Sequence, residues 1–188
     1  HVIDIELIAK GLHNEPDVLR AELQRRLDAL QPGQYDAVLL GYGLCSNSIV
    51  GLVSAHTQMV VPRAHDCITL YLGSAERYAE EFRRVPGTYW YTPDYIERST
   101  DSSNIVALGS DAEDDKMSAT YREYVEKYGQ DNADYLMEVM GAWRKHYSRA
   151  AYIETQEVKL PDYTARVREL AERRGWTFEQ MMGSLIIL

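Results

Sequence analysis

The chain has two cysteines, Cys45 and Cys67, and each follows a short apolar run that predicts a buried β-strand. Cys45 comes after residues 35–40 and a glycine turn that begins at Gly41, whereas Cys67 comes after residues 58–61. In an open parallel sheet, ligands bind at the carboxyl ends of the strands. Neighbouring strands lie about 5 Å apart, so the two thiols would converge on one site if these strands are adjacent.

Two histidines extend this pattern. His65 stands two residues before Cys67, and His13 lies in the turn after the first predicted strand. Cys45, Cys67 and one of these histidines would form a three-ligand metal set, which is typical of catalytic zinc sites. Thiolate ligands favour zinc or an iron–sulfur cluster over magnesium or calcium. The alternative interpretation is that both cysteines are small buried hydrophobic residues beside the core.

The glycine turn also suggests that this loop binds a small molecule. Main-chain N–H groups around Gly41 and Gly43, together with Ser46 and Asn47, could cradle an anion. Arg63 is the candidate cation for a carboxylate or phosphate on that ligand. The stretch is neither a P-loop nor a dinucleotide-binding fingerprint, because no Gly-Lys-Ser/Thr follows and the third glycine is misplaced.

A third interpretation needs no metal. The sequence predicts a helix that starts near Asp66, so Cys67 would lie close to the start of a helix, where a thiolate is favoured. Cys67 would then be a nucleophile, with His65 or His13 as its base.

Strand-like and helix-like segments alternate along the chain. This order predicts an α/β fold with an open, mostly parallel, Rossmann-like sheet and helices on both faces. Strands are predicted at residues 2–8, 35–40, 58–61, 88–92 and 151–153. Helices are predicted at residues 17–30, 66–73, 117–128, 131–149 and 163–174, with another from Ser74 and a last segment capped by Thr177. The polar and acidic residues 98–116 predict a flexible surface loop.

Length and charge narrow the function classes. The 188 residues suit a single α/β domain, and we expect the native protein to extend beyond one or both ends of this sequence. The net charge of −9 and the absence of a basic stripe argue against nucleic acid as a partner. The apolar runs are too short to cross a bilayer. No export signal is recognisable, so we predict a cytoplasmic protein with reduced thiols.

Several stretches resemble a known family. They are L-H-N-E-P at 12–16, G-Y-G-L-C at 41–45, P-R-A-H-D-C at 62–67 and P-G-T-Y-W-Y-T-P-D-Y-I-E at 86–97. They resemble a bacterial and archaeal family known only as a domain of unknown function, whose members are often encoded near corrinoid methyltransferases. The resemblance implies functional cysteines and a further cysteine near the start of the family's first strand, which this sequence lacks.

Three hypotheses follow. The first is a metal-binding protein that acts in corrinoid-linked one-carbon metabolism, by zinc activation of a thiol or by methyl transfer, with a corrinoid protein or methyltransferase as its partner. The second is a non-catalytic carrier or chaperone for a corrinoid, a metal or a cluster. The third is a metal-free cysteine enzyme that uses Cys67.

Overall fold

The computed structural model describes residues 3–9, 12–13, 15–44, 47–98, 111–155 and 160–184 of the chain. Two compact units make up the chain, one running through Ala75 and the other comprising Glu76–Ser184. Every strand pair in the described residues is parallel. The predicted α/β class with open parallel strands flanked by helices is therefore confirmed.

The N-terminal unit begins with an amphipathic helix, α1 (Pro16–Asp28). Proline suits the first turn because its missing N–H is not needed there. The helix buries Leu19, Leu23 and Leu27, which recur every four residues and so form one stripe. This stripe is the centre of the apolar core of the unit.

Two short strands and a second helix follow α1. They are β1 (Ala37–Leu39), β2 (Gln58–Val60) and α2 (Cys67–Leu72). β1 and β2 pair with Val38 opposite Met59, and both side chains pack against the core of the unit. Successive side chains of a strand point to opposite faces, and on the other face Leu39 and Val60 are exposed.

The segment at residues 3–9 differs from the prediction. Its side chains alternate, but none of these described residues belongs to a β-strand, so the predicted strand at residues 2–8 is wrong over residues 3–8. Tyr35 donates a hydrogen bond to Asp4 (2.7 Å), and Arg26 pairs with Glu6 (2.8 Å). Side-chain contacts thus hold the segment in place, and alternation alone did not produce strand pairing.

The C-terminal unit contains a three-stranded sheet in the order β3–β4–β5. Its strands are β3 (Thr88–Tyr91), β4 (Arg149–Glu154) and β5 (Thr177–Met182). Its helices are α3 (Ala75–Arg84), α4 (Pro93–Arg98), α5 (Asp111–Tyr128), α6 (Gln130–Gly141) and α7 (Thr164–Arg174), with a 3-10 helix at Ala142–His146. One face of the sheet forms an apolar core in which Tyr91 and Tyr152 pack with α7.

A network of charged side chains lies on the opposite face of this sheet. Arg149 is only 2 % exposed, and its Nη1 donates to Glu81 (2.8 Å) and to Glu179 (2.6 Å). Its Nε donates to Thr88 (2.8 Å), and Arg84 pairs with both glutamates. A charged network therefore joins α3 to the sheet, and none of the described side chains of α3 is fully buried.

Three predicted segments differ from the structure in type or in bounds. The segment after Thr177 is the edge strand β5, whose residues Thr177–Met182 pair with β4. The helix predicted at residues 131–149 ends as an α-helix at Gly141, and β4 begins at Arg149. Of the predicted loop at residues 98–116, residues 99–110 lie outside the described residues, but the part from Asp111 onward is helical in α5.

Candidate functional site

The loops that follow β1 and β2 stay together beyond the ends of the strands. Leu40 donates a main-chain hydrogen bond to Val60 (2.9 Å), and Leu44 donates one to Ala64 (2.9 Å). Leu44 immediately precedes Cys45 in the sequence, and Ala64 stands three residues before Cys67. The loop that carries each cysteine is thus fastened to the other at the carboxyl edge of the sheet.

Gly43 allows these two loops to touch. A Cβ placed on Gly43 would lie 2.8 Å from the carbonyl carbon of Asp66 and 2.9 Å from its Cα. Carbon atoms pack at about 3.5–4.0 Å, so only glycine fits there without movement. At Gly41 a Cβ would meet no atom of the described structure within 4 Å. Of the two glycines predicted to cradle an anion, Gly43 is the one that packs against the neighbouring loop.

The loop after β1 closes into a turn at Asn47. Asn47 donates its N–H to the carbonyl of Leu44 (2.6 Å) and adopts a left-handed φ of 57°, which asparagine tolerates better than most residues. Cys45 and Ser46, both predicted site residues, fall between these two and lie outside the described residues.

Arg20 of α1 is a residue that the sequence reasoning missed. Its Nη2 donates to the carbonyl of Asn47 (2.8 Å), and its Nη1 pairs with Asp17 (3.0 Å). Arg20 therefore ties the first half of α1 to the loop after β1. Its three-residue spacing from Asp17 indicates an ion pair within a helix. That spacing does not indicate the contact with Asn47, which is 27 residues away in the sequence.

The loop after β2 leads directly into α2. Asp66 is extended and is the N-cap residue: its Oδ1 accepts from the N–H of Thr69 (2.8 Å) and from the Thr69 hydroxyl (3.0 Å). This confirms the predicted start of a helix near Asp66. Cys67 is the first residue of the helix and is exposed.

His65 and Arg63 are exposed in the same loop. The His65 side chain is 83 % exposed, and its Nδ1 lies 3.6 Å from Oδ2 of Asp66. His13 is also exposed and lies in the turn that precedes α1. Among the predicted ligands, His65 thus lies in the loop that precedes the cap Asp66, and Cys67 is the first residue of α2 after it.

Tyr42, in the loop after β1, packs against the core of the N-terminal unit. Burial raises the pKa of the Tyr42 hydroxyl, and the nearby Arg26 opposes this shift only in part. The phenol therefore stays protonated at neutral pH.

Metal binding needs more ligands than the described loops supply. Among the residues that the structure describes, no group of three or more His, Cys, Asp and Glu side chains is arranged to hold a metal ion. Cys45 lies outside the described residues. The described helices also include none with the length and hydropathy of a membrane span.

The family is established by comparison of sequences. Residues 7–188 match the family model DUF1638, which is described as a protein of unknown function. Searches of curated proteins and of solved structures gave no match. Because the matched region covers nearly the whole sequence, the chain belongs to the DUF1638 family.

Proposed function

We propose that this chain binds a thiophilic metal ion, zinc or iron, at the carboxyl edge of the β1–β2 sheet. Cys67 and His65 are the described ligands, and Cys45 is the third; His13 is the alternative nitrogen ligand. One observation carries the proposal. The Leu44–Ala64 hydrogen bond and the contact between Gly43 and Asp66 hold the two cysteine-bearing loops against each other.

The ligand chemistry supports zinc or an iron–sulfur cluster. Two thiolates and an imidazole suit these metals better than magnesium or calcium. Three protein ligands leave a fourth position for a substrate, as in catalytic zinc sites. A metal-bound thiol is deprotonated at neutral pH and stays nucleophilic. The reaction class we propose is therefore zinc activation of a thiol, or methyl transfer, in corrinoid-linked one-carbon metabolism, which rests on the family resemblance and on this chemistry together.

Cobalt(II) is a suitable probe because it replaces zinc and its colour reports the ligands. Protein purified without oxygen is titrated with cobalt(II) chloride, and zinc then competes for the site. We expect about one equivalent bound per chain, with a sulfur-to-cobalt charge-transfer band, and lost binding in Cys45→Ser and Cys67→Ser. His56→Ala is the matched control, since His56 is an exposed histidine of the same unit that stands two residues before β2 and so lies at the amino end of that strand.

Two results would overturn the proposal. A wild-type protein that takes up neither cobalt, zinc nor iron in stoichiometric amount does not have this site. Binding that survives in both cysteine variants would also contradict it, because the metal would then lie elsewhere.

The exposure of Cys67 favours one second candidate, a metal-free cysteine enzyme. That function requires rapid alkylation of Cys67 at neutral pH by iodoacetamide, with Cys45 labelled much more slowly. Equal and slow labelling of the two thiols in the metal-free protein would exclude it.

A further inference from the structure

We propose that the helical hairpin formed by α5 and α6 is a dimerisation surface, and that it binds the same hairpin of a second copy of this chain. α5 ends at Tyr128 and α6 begins at Gln130, so only Gly129 separates the two helices. Gly129 has a positive φ of 80°, a conformation that glycine adopts readily. Tyr121 of α5 donates a hydrogen bond to Asp134 of α6 (2.7 Å), and the two helices pack against each other.

This hairpin has almost no core of its own. Of the side chains that the structure describes in these two helices, only Ala133 is fully buried. Neither helix contributes a described residue to the two apolar cores of the chain. An amphipathic helix gains most of its stability from burying its apolar face. Two helices alone bury those faces only in part, whereas a four-helix bundle made from two hairpins would bury them.

Apolar side chains remain uncovered along α6. Tyr135 is 65 % exposed and Val139 is 53 % exposed, and residues four apart lie on one face of a helix. Met140, the next residue, is 42 % exposed. We call these three residues the α6 stripe. They leave roughly 300 Å² of largely apolar surface in water, which is the size of patch that often marks a contact site on a single chain.

The area fits a second hairpin as the partner. A specific protein interface buries about 800 Å² on each side, so the α6 stripe needs a contribution from α5. That helix offers Tyr128, which is 44 % exposed, and the half-buried Tyr124 and Val125. A second copy supplies the same apolar side chains on helices of the same length, as a two-fold symmetric contact requires. Because the interface lies at the small end of the range, we expect a reversible dimer with a dissociation constant of roughly 1–100 μM.

The charges of this region favour an antiparallel pair of α6 helices. Asp131 lies in the first turn of α6, and Lys145 follows the end of α6 in the 3-10 helix. In a parallel pair each of these charges would face its own copy. In an antiparallel pair centred near Val139, Asp131 of one copy approaches Lys145 of the other, because the two residues lie at similar distances on either side of the centre. Lys145 also pairs with Glu138 of its own chain (3.6 Å). Opposite charges at the rim of an interface select the orientation.

Sedimentation velocity of the full chain at increasing concentration tests this proposal, with a reducing agent present to exclude disulfide-linked dimers. We expect a reversible monomer–dimer equilibrium in the wild type. Val139→Glu places a carboxylate at the centre of the contact on both copies and should weaken the dimer at least about 10-fold. Because Val139 is exposed in the single chain, the helical circular dichroism and the thermal midpoint of the diluted monomer should stay unchanged.

Ala119→Glu is the matched control. Ala119 is exposed on α5 and stands two residues from Tyr121, so it lies on the other side of that helix. This variant adds the same charge to the hairpin and should dimerise as the wild type does. Asp131→Lys should weaken the dimer several-fold, and adding Lys145→Glu should restore it, since both rim pairs are then attractive again.

Three results would contradict the proposal. A wild-type chain that stays monomeric at ten times the upper expected dissociation constant would overturn it. A dimer that Val139→Glu leaves intact would do the same, because the contact would then lie elsewhere on the chain. Failure of the double charge reversal to restore the affinity lost in Asp131→Lys would rule out the antiparallel pairing. None of these results depends on the metal site proposed above.

Discussion

Gly43 gives the sharpest test of how the two cysteine-bearing loops are packed. A Cβ at this position would lie 2.8 Å from the carbonyl carbon, 2.9 Å from Cα and 3.0 Å from the carbonyl oxygen of Asp66. All three are main-chain atoms, so no side chain can rotate to make room. The loops in Gly43→Ala must separate by roughly 0.7 Å to restore an ordinary carbon–carbon contact of about 3.5 Å.

Two effects of this displacement can be estimated. Overpacking of this kind costs about 1–3 kcal/mol of unfolding free energy, which lowers the thermal midpoint by roughly 2–12 °C in a chain of this size. Metal sites tolerate deviations of only about 0.2 Å in ligand distance. A shift of the Asp66 loop by several tenths of an ångström should therefore weaken cobalt(II) binding at least about 10-fold.

Gly41→Ala is the matched control. The same added methyl group meets no atom of the described structure within 4 Å, and Gly41 is exposed. We expect its thermal midpoint and its cobalt affinity to stay within error of the wild type. The measurements are differential scanning calorimetry and a cobalt titration with zinc competition. If Gly43→Ala behaves as Gly41→Ala does in both, the two loops do not meet at Gly43 and the packing described here is wrong.

The remaining predictions concern the ion network of the C-terminal unit. Arg149→Met should lower the free energy of unfolding by about 3 kcal/mol, because it leaves partly buried carboxylates without their main partner; urea denaturation measures this. Arg84→Met, whose side chain is 49 % exposed, should cost less than about 1 kcal/mol, and equal losses in the two variants would contradict the assigned burial. Burial alone would raise the pKa of Glu81 and Glu179, but hydrogen bonds from the two arginines outweigh it and leave both pKa values below the ordinary value of 4.5. The unfolded chain therefore binds more protons in acid, so this stability is complete above about pH 4.5 and is lost as the pH falls through the folded pKa values. Urea denaturation from pH 7 to pH 3 should show a shallower acid loss in Arg149→Met than in the wild type.

The parts of the fold that sequence predicts well are those set by local signals. The strands β1, β2 and β3, the helix α1 and the helix start near Asp66 each depend on a few neighbouring residues, and each lies within the predicted segment or begins within one residue of it. The glycine turn predicted before Cys45 is an exception: residues 41–44 form no turn, and neither Gly41 nor Gly43 adopts a positive φ.

Contacts between distant residues were not predictable in this way. Arg149 opens a strand and reads as a surface residue, yet it is buried because Glu81 and Glu179, which are 68 and 30 residues away, supply the compensating charge. Arg20 reaches Asn47 across 27 residues. Residues 3–8 show the reverse case: the local alternation of a strand is present, but strand formation depends on a partner strand, which side-chain alternation does not specify.

Asp66 makes both a local contact and a contact with a distant residue, and variants can separate the two. Its role as a cap is local and follows from its place before Thr69, whereas its contact with Gly43 depends on how two separate loops pack. A substitution that keeps the cap, such as Asp66→Ser, should therefore leave both the thermal midpoint and the cobalt(II) affinity unchanged, whereas Gly43→Ala should lower both. If the cobalt(II) affinity instead falls in Asp66→Ser, the carboxylate of Asp66 contributes to the site beyond capping α2. The two sets of variants, measured side by side, thus distinguish a site that needs the carboxylate of Asp66 from one that needs only its backbone.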